Sequence, residues 1–77
     1  MPVNSQNSAG DIRITANGTV YLVSSPKTVS GFIEELGKTP RRCVVEINGA
    51  ARKYSAFKDV LLSDGDSLEI LSVVAGG

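Results

Sequence analysis

The sequence predicts an α+β roll, a mixed sheet of four to five strands gripping one helix. Three observations carry this. Two Asn-Gly pairs, Asn17-Gly18 and Asn48-Gly49, each follow a run rich in β-branched residues, the pattern of a strand entering a tight turn. A single segment between them, Val29 to Leu36, places apolar side chains at helical spacing. The chain then closes on a strand, Ser67 to Val73, that runs on through Val74 and Ala75 into Gly76-Gly77.

Taken in order, residues 1–10 are small and polar with no apolar period, and are expected to be a disordered leader. The domain is expected over residues 11–73. Ile12 and Ile14 alternate with Arg13 and Thr15 as a first strand, and Asn17-Gly18 supplies the two positive-φ positions of a type I′ hairpin turn. The second strand is Thr19 to Val23, with Val20 and Leu22 on one face and Tyr21 and Val23 on the other. We expect the helix to cover the face bearing Ile12, Val20, Val45 and Ile70.

Thr28 is placed to cap the helix, its hydroxyl accepting from a free N–H of the first turn. Val29, Phe32, Ile33 and Leu36 then form one apolar stripe, Glu34 and Glu35 face water, and Gly37 is the expected stop. Gly31 weakens the helix by about 1 kcal/mol against alanine, and a close approach of helix to sheet is the expected reason. After a polar loop around Pro40, Cys43 to Ile47 reads as a central strand, nearly apolar on both faces. Ala50 to Lys53 is a short edge segment. Tyr54 to Leu62 is expected to hold a helical turn that tucks Phe57 and Leu61 under the sheet. Ser63-Asp64-Gly65-Asp66 is a tight turn. In the last strand Leu68 and Ile70 alternate with Ser67 and Glu69; laid parallel beside the first strand, it would be central.

Composition narrows the function. At 77 residues, 42% of them apolar, the chain makes one small folded domain without room for a deep catalytic cavity. Eight basic and eight acidic residues cancel, which argues against nucleic acid as a partner. The lone cysteine, Cys43, permits neither an internal disulfide nor a cysteine-based metal site, and the absence of histidine removes the commonest general base. No apolar run approaches the ~20 residues of a membrane span, so a cytoplasmic protein without membrane contact is expected. What remains is the end of the chain. Residues 74–77 read as a flexible tail on a rigid root; glycine has no Cβ to obstruct a narrow channel, and the only group such a tail delivers is the α-carboxylate of Gly77.

With Thr28-Val29 opening the helix, Glu34-Glu35-Leu36-Gly37 ending it, Val45-Glu46-Ile47-Asn48-Gly49, Arg52, Leu62-Ser63-Asp64-Gly65-Asp66 and the closing Val73-Val74-Ala75-Gly76-Gly77, residues 11–77 resemble the ubiquitin-like β-grasp sulfur carriers, most closely the ThiS family of thiamine-thiazole sulfur carriers. The Asp-Gly-Asp turn combined with terminal Gly-Gly is the specific part. Ala51 precedes Arg52 where a proline or larger apolar residue is expected, and Ser72-Val73 stands where molybdopterin synthase small subunits carry a Pro-Pro pair. The second departure favours the thiamine branch.

The resemblance implies a protein co-substrate rather than an enzyme. Gly77 would be adenylated by a ubiquitin-activating-type adenylyltransferase (ThiF- or MoeB-like) that uses ATP and Mg, and then converted to a thiocarboxylate with sulfur from a donor such as a cysteine desulfurase. A thiazole synthase (ThiG-like) or another acceptor enzyme would consume the sulfur; no cofactor is expected on the carrier itself. Gly76 and Ala75 would thread the tail. Leu71, Val73, Tyr21 and Val44, expected on the sheet face opposite the helix, would form an apolar patch that serves as the partner interface together with Val74, and the family match adds Arg52 to it. The alternatives are a molybdopterin synthase small subunit or tRNA-thiolation carrier, a ubiquitin-like modifier conjugated through Gly77, and a plain interaction module with an idle tail. Arg41, Arg42 and Lys53 are read as solvated charge or an acidic-partner patch, and Cys43 as a small buried hydrophobe or a persulfide relay.

Overall fold

A computed structural model describes residues 10–73. The order of elements is β1 (Asp11–Ala16), β2 (Thr19–Ser24), α1 (Val29–Glu35), a 3-10 turn (Pro40–Arg42), β3 (Cys43–Ile47), β4 (Ala50–Arg52), a second 3-10 turn (Tyr54–Ala56) and β5 (Ser67–Ser72). The five strands form one sheet in the order β2-β1-β5-β3-β4. Strand β5 lies parallel to β1 and antiparallel to β3, so the last strand is the central one, as expected. Strand β3, expected to be central and covered on both faces, lies instead between β5 and the edge strand β4, with Val44 and Glu46 exposed on one face.

Local chemistry places each element where the sequence suggests. The hairpin turn holds Asn17 at φ 51° and Gly18 at φ 84°, and the second turn repeats this at Asn48 (51°) and Gly49 (85°). The Thr28 hydroxyl accepts from the Gly31 N–H at 3.0 Å and caps α1. At the other end Gly37, at φ 81°, lets the chain turn off while its N–H bonds Glu34 and the Lys38 N–H bonds Ile33, the double closure of a Schellman motif. The ion pair Lys27–Glu35 lies along the same helix.

Helix α1 lays Val29, Phe32 and Ile33 on the sheet, where they meet Ile14, Ala16, Val23, Val45, Ile47, Leu68 and Ile70. Phe57 and Leu62 close the side of this core. Burying such a side chain contributes about 1.5–3 kcal/mol each, and every member of this core is aliphatic, aromatic or thiol. The helix covers one face of the sheet only. The other is open.

Three further expectations need correction. On β2 the helix side carries Tyr21 and Val23, while Val20 (59% exposed) and Leu22 (68%) lie on the open face. The reason is hairpin arithmetic: a two-residue turn pairs Ala16 with Thr19, hence Ile14 with Tyr21 and Ile12 with Val23, and directly paired residues share a face. Tyr21 stacks edge-on against Phe32, ring centroids 5.4 Å apart. Second, Leu62 rather than Leu61 enters the core. Leu61 forms an isolated bridge with Thr28, and the Leu62 N–H bonds the Lys27 carbonyl at 2.9 Å, which turns Leu61 outward. Third, a Cβ on Gly31 would meet the Thr28 hydroxyl at 3.2 Å and Lys27 Cδ at 3.5 Å, so the glycine makes room for the cap and not for the sheet.

Candidate functional site

The site the sequence points to is the exit of β5 toward residues 74–77. Four devices fix that strand. At its start, the Asp66 carboxylate accepts from the Ser63 N–H (2.7 Å) and from the Asn48 side-chain amide (3.0 Å), while Asn48 Oδ1 accepts from the Ser67 N–H (2.9 Å). Asp64, in the same turn, accepts from the Arg13 N–H at 2.7 Å, and the Gly65 N–H, at φ 90°, donates to the Arg13 carbonyl. The Asp-Gly-Asp turn is thus a clasp between β1, β5 and the β3–β4 turn.

Further along, β1 ends at Ala16, but the ladder continues through a side chain. Asn17 Oδ1 accepts from the Ile70 N–H (2.7 Å), and Asn17 Nδ2 donates to the Ile70 carbonyl (2.9 Å). On the opposite flank the Val73 N–H donates to the Arg42 carbonyl at 2.6 Å, extending the β3–β5 pairing one residue past the strand. The strand is therefore held on the β1 side as far as Ile70 and on the β3 side as far as Val73.

The open face around this exit is read from the register. Cross-strand partners Val44 and Leu71 both point away from the helix, 52% and 66% exposed, with Val73 (49%) beyond them. Glu46 and Glu69 form the next pair toward the start of β5, also exposed. One shallow depression is lined by Asn17, Val44, Glu46, Glu69, Ile70 and Leu71, and a second by Arg41, Arg42, Cys43, Val44 and Val73. Exposed apolar groups gathered in this way mark contact surfaces.

The interface residues expected from sequence divide accordingly. Leu71, Val44 and Val73 share the open face. Tyr21 does not; it is half-buried against Phe32 on the helix side. Arg52 pairs with Val45 and so leaves the edge strand on the helix side as well, exposed but opposite the patch. Val74, Ala75, Gly76 and Gly77 lie outside the described residues, as does the 1–9 part of the expected leader. Cys43 is buried, its thiol 3.4 Å from the Thr39 carbonyl, which is the hydrophobe-like placement and not that of an accessible relay. Among the described residues no cluster of three or more potential ligands could hold a metal, and no helix is long and apolar enough to cross a membrane.

The supporting residues the sequence reading passed over are Asn17, Asn48, Asp64 and Asp66. Each was legible as turn chemistry; their second role, gripping β5, depends on long-range pairing.

A five-stranded mixed sheet wrapped on one helix, with its last strand central, defines a ubiquitin-like β-grasp domain. The ThiS family model matches residues 9–77, and the chain belongs to that family. It is similar to the crystal structure of a thiamine biosynthesis protein (ThiS) from Geobacter metallireducens, with a TM-score of 0.71 and 28% identity over 86% of this chain and 100% of that one. It is likewise similar to a solution structure of a thiamine biosynthesis protein from the same organism, at a TM-score of 0.67. A thiazole synthase of Paramagnetospirillum magneticum is 33% identical over 66 residues, 86% of this chain; the chain spans 20% of that protein's length. An uncharacterized protein, ycf40, of Pyropia yezoensis is 30% identical over 87% of this chain and 94% of its own.

Proposed function

We propose that this protein is a sulfur carrier whose Gly77 carboxylate is activated as an acyl-adenylate and converted to a thiocarboxylate, most directly for building the thiazole of thiamine. The observation that carries the reading is the position of β5. A central strand pinned on both flanks makes a rigid root as far as Val73, the arrangement a carrier needs to present the residues beyond it to an enzyme. Family membership over residues 9–77 supports the same reading, because the match includes the closing Gly76-Gly77.

The chemistry follows from what the chain offers. A carboxylate is a poor acyl donor until its oxygen is converted to a leaving group. Attack of a Gly77 oxygen on the α-phosphorus of ATP releases pyrophosphate and makes AMP that leaving group. The persulfide of a donor such as a cysteine desulfurase then displaces AMP to give an acyl disulfide. A thiol cleaves its S–S bond and is itself oxidised to a disulfide, and the thiocarboxylate so released is consumed by the acceptor enzyme. ATP and Mg belong to the activating partner. The carrier contributes positioning: Gly76 and Ala75 thread the channel, Gly77 carries the sulfur, and no side chain of its own needs to act as acid or base, in keeping with a chain that lacks histidine.

The thiazole synthase of Paramagnetospirillum magneticum carries a segment similar to this chain, which favours a synthase of that kind as the acceptor. The test is ATP–pyrophosphate exchange with the cognate activating enzyme. Exchange that depends on this protein and stops when Gly77 is removed supports the reading; no exchange with the intact protein overturns it. Covalent adducts joining Gly77 to lysines of other proteins would instead identify a modifier.

A further inference from the structure

The open face of the sheet is polar in one direction, and this orders what can dock on it. From the start of β5 toward its exit, cross-strand partners on that face run Glu46 with Glu69, then Val44 with Leu71. Past the strands Arg42 and Val73, joined from the Val73 N–H to the Arg42 carbonyl, line one depression with Val44. Successive rows are about 7 Å apart, two residues of strand rise. Two carboxylates, two aliphatic side chains and a guanidinium beside an aliphatic thus stand in line, ending where the chain leaves the sheet.

The acidic row is the unusual one. The Asn48 N–H bonds the Ser67 carbonyl and the Val73 N–H bonds the Arg42 carbonyl, so by alternation Glu46 and Glu69 are a hydrogen-bonded pair, with Cα atoms about 5.5 Å apart. Like charges placed directly opposite are destabilising. No internal cation relieves them: among the described residues the one ion pair joins Lys27 and Glu35 on the helix side. Lys53, one residue past β4 and in line with Val44, is exposed and makes no ion pair among the described residues. The depression these carboxylates line is shared with Val44 and Leu71, so charge and apolar contact are offered together.

Resting on the carrier function proposed above, we infer that Glu46 and Glu69 are specificity-determining residues that receive an arginine or lysine of the activating enzyme, set about 7 Å from an apolar side chain that seats on Val44 and Leu71. The pair sits two rows behind the exit, whereas Arg42 flanks the exit itself. A partner with the complementary order, cation then apolar group, can engage only with its channel toward residues 74–77; the reversed docking sets its cation against Arg42. Complementary charge of this kind governs encounter and register more than total contact area does. It also accounts for a like-charge pair that does nothing for the fold.

The experiment is ATP–pyrophosphate exchange with the cognate activating enzyme, read as KM for the carrier across a series of salt concentrations. Glu46→Gln/Glu69→Gln is expected to raise KM about tenfold at low salt with kcat unchanged, and to flatten the rise of KM with salt that the unmodified carrier shows. Its melting temperature is expected to stay level or rise. Glu34→Gln/Asp59→Asn removes the same charge outside the sheet and is expected to leave KM within about twofold. Unchanged KM and an unchanged salt response in the Glu46/Glu69 variant overturn the inference while leaving the carrier function standing. An equal loss in both variants also overturns it, since net charge alone would then be responsible. No exchange with the unmodified carrier overturns the function and the inference together.

Discussion

Asn17, the first residue of the hairpin turn, exchanges two hydrogen bonds with Ile70, at 2.7 and 2.9 Å, and so stands in for the backbone of a strand that has already ended. Strand β1 pairs with β5 in register only at Thr15 and Ala16, and without this side chain the parallel pairing would stop short of Ile70. The same residue satisfies two demands, since asparagine also tolerates the positive φ the turn requires.

That double role separates by substitution. Asn17→Gly keeps the turn and loses the grip, and is expected to cost about 1–2 kcal/mol through the unpaired Ile70 groups. Asn17→Ala adds left-handed strain of about 1 kcal/mol and is expected to be the less stable of the two. Urea titration gives the order. A glycine variant as stable as the starting protein would show that the two hydrogen bonds contribute nothing net.

The faces of β5 make a second prediction. Ile70 is 6% exposed in the core and Leu71 is 66% exposed on the open face. Ile70→Glu is expected to unfold the domain, because a carboxylate would be buried without a partner. Leu71→Glu is expected to shift stability by no more than about 0.5 kcal/mol while weakening binding to the activating enzyme at least about tenfold, the loss of a central apolar anchor. Thermal melts beside binding titrations decide it; a tolerated Ile70→Glu with an unfolded Leu71→Glu would mean the strand is shifted by one residue.

On β2 the corresponding pair is Tyr21 and Leu22. Tyr21→Ala loses the edge-on contact with Phe32, worth about 0.5–1.5 kcal/mol, together with its share of burial. Leu22→Ser, on the open face, is expected to stay within about 0.5 kcal/mol. Equal effects in denaturant titration would contradict the face assignment.

Most of this architecture is legible in the sequence because each element carries its own punctuation. Thr28 and Gly37 bound the helix, the two Asn-Gly pairs mark the turns, and the alternation of Leu68 and Ile70 with Ser67, Glu69 and Leu71 orients the central strand correctly. The face of β2 was also within reach. A two-residue turn at Asn17-Gly18 pairs residues of opposite parity, so Ile12 and Ile14 facing the helix oblige Tyr21 and Val23 to do the same. Apolar content alone could not decide it, since Val20 and Leu22 are as hydrophobic as their neighbours. What the sequence does not contain is the partner of each polar side chain across the fold. That Asn17 reaches Ile70, or that Thr28 rather than the sheet claims the backbone at Leu61, follows only from assembly.

Threading of the tail is tested at Gly76. Replacing it with tryptophan is expected to abolish ATP–pyrophosphate exchange while leaving the melting temperature unchanged, because a large side chain would obstruct the channel and move the carboxylate out of reach. Undiminished exchange would remove the argument for a narrow channel.

The central claim is that Gly77 carries sulfur, and intact mass measures this directly. The protein is incubated with the activating enzyme, ATP, Mg, a persulfide-bearing cysteine desulfurase and a thiol reductant that cleaves the acyl disulfide, and then weighed by mass spectrometry with fragmentation of its C-terminal peptide. The account predicts a gain equal to the difference between one sulfur and one oxygen atom, confined to Gly77 and absent without ATP. An unchanged mass, or a sulfur gain located on Cys43 instead, would contradict it.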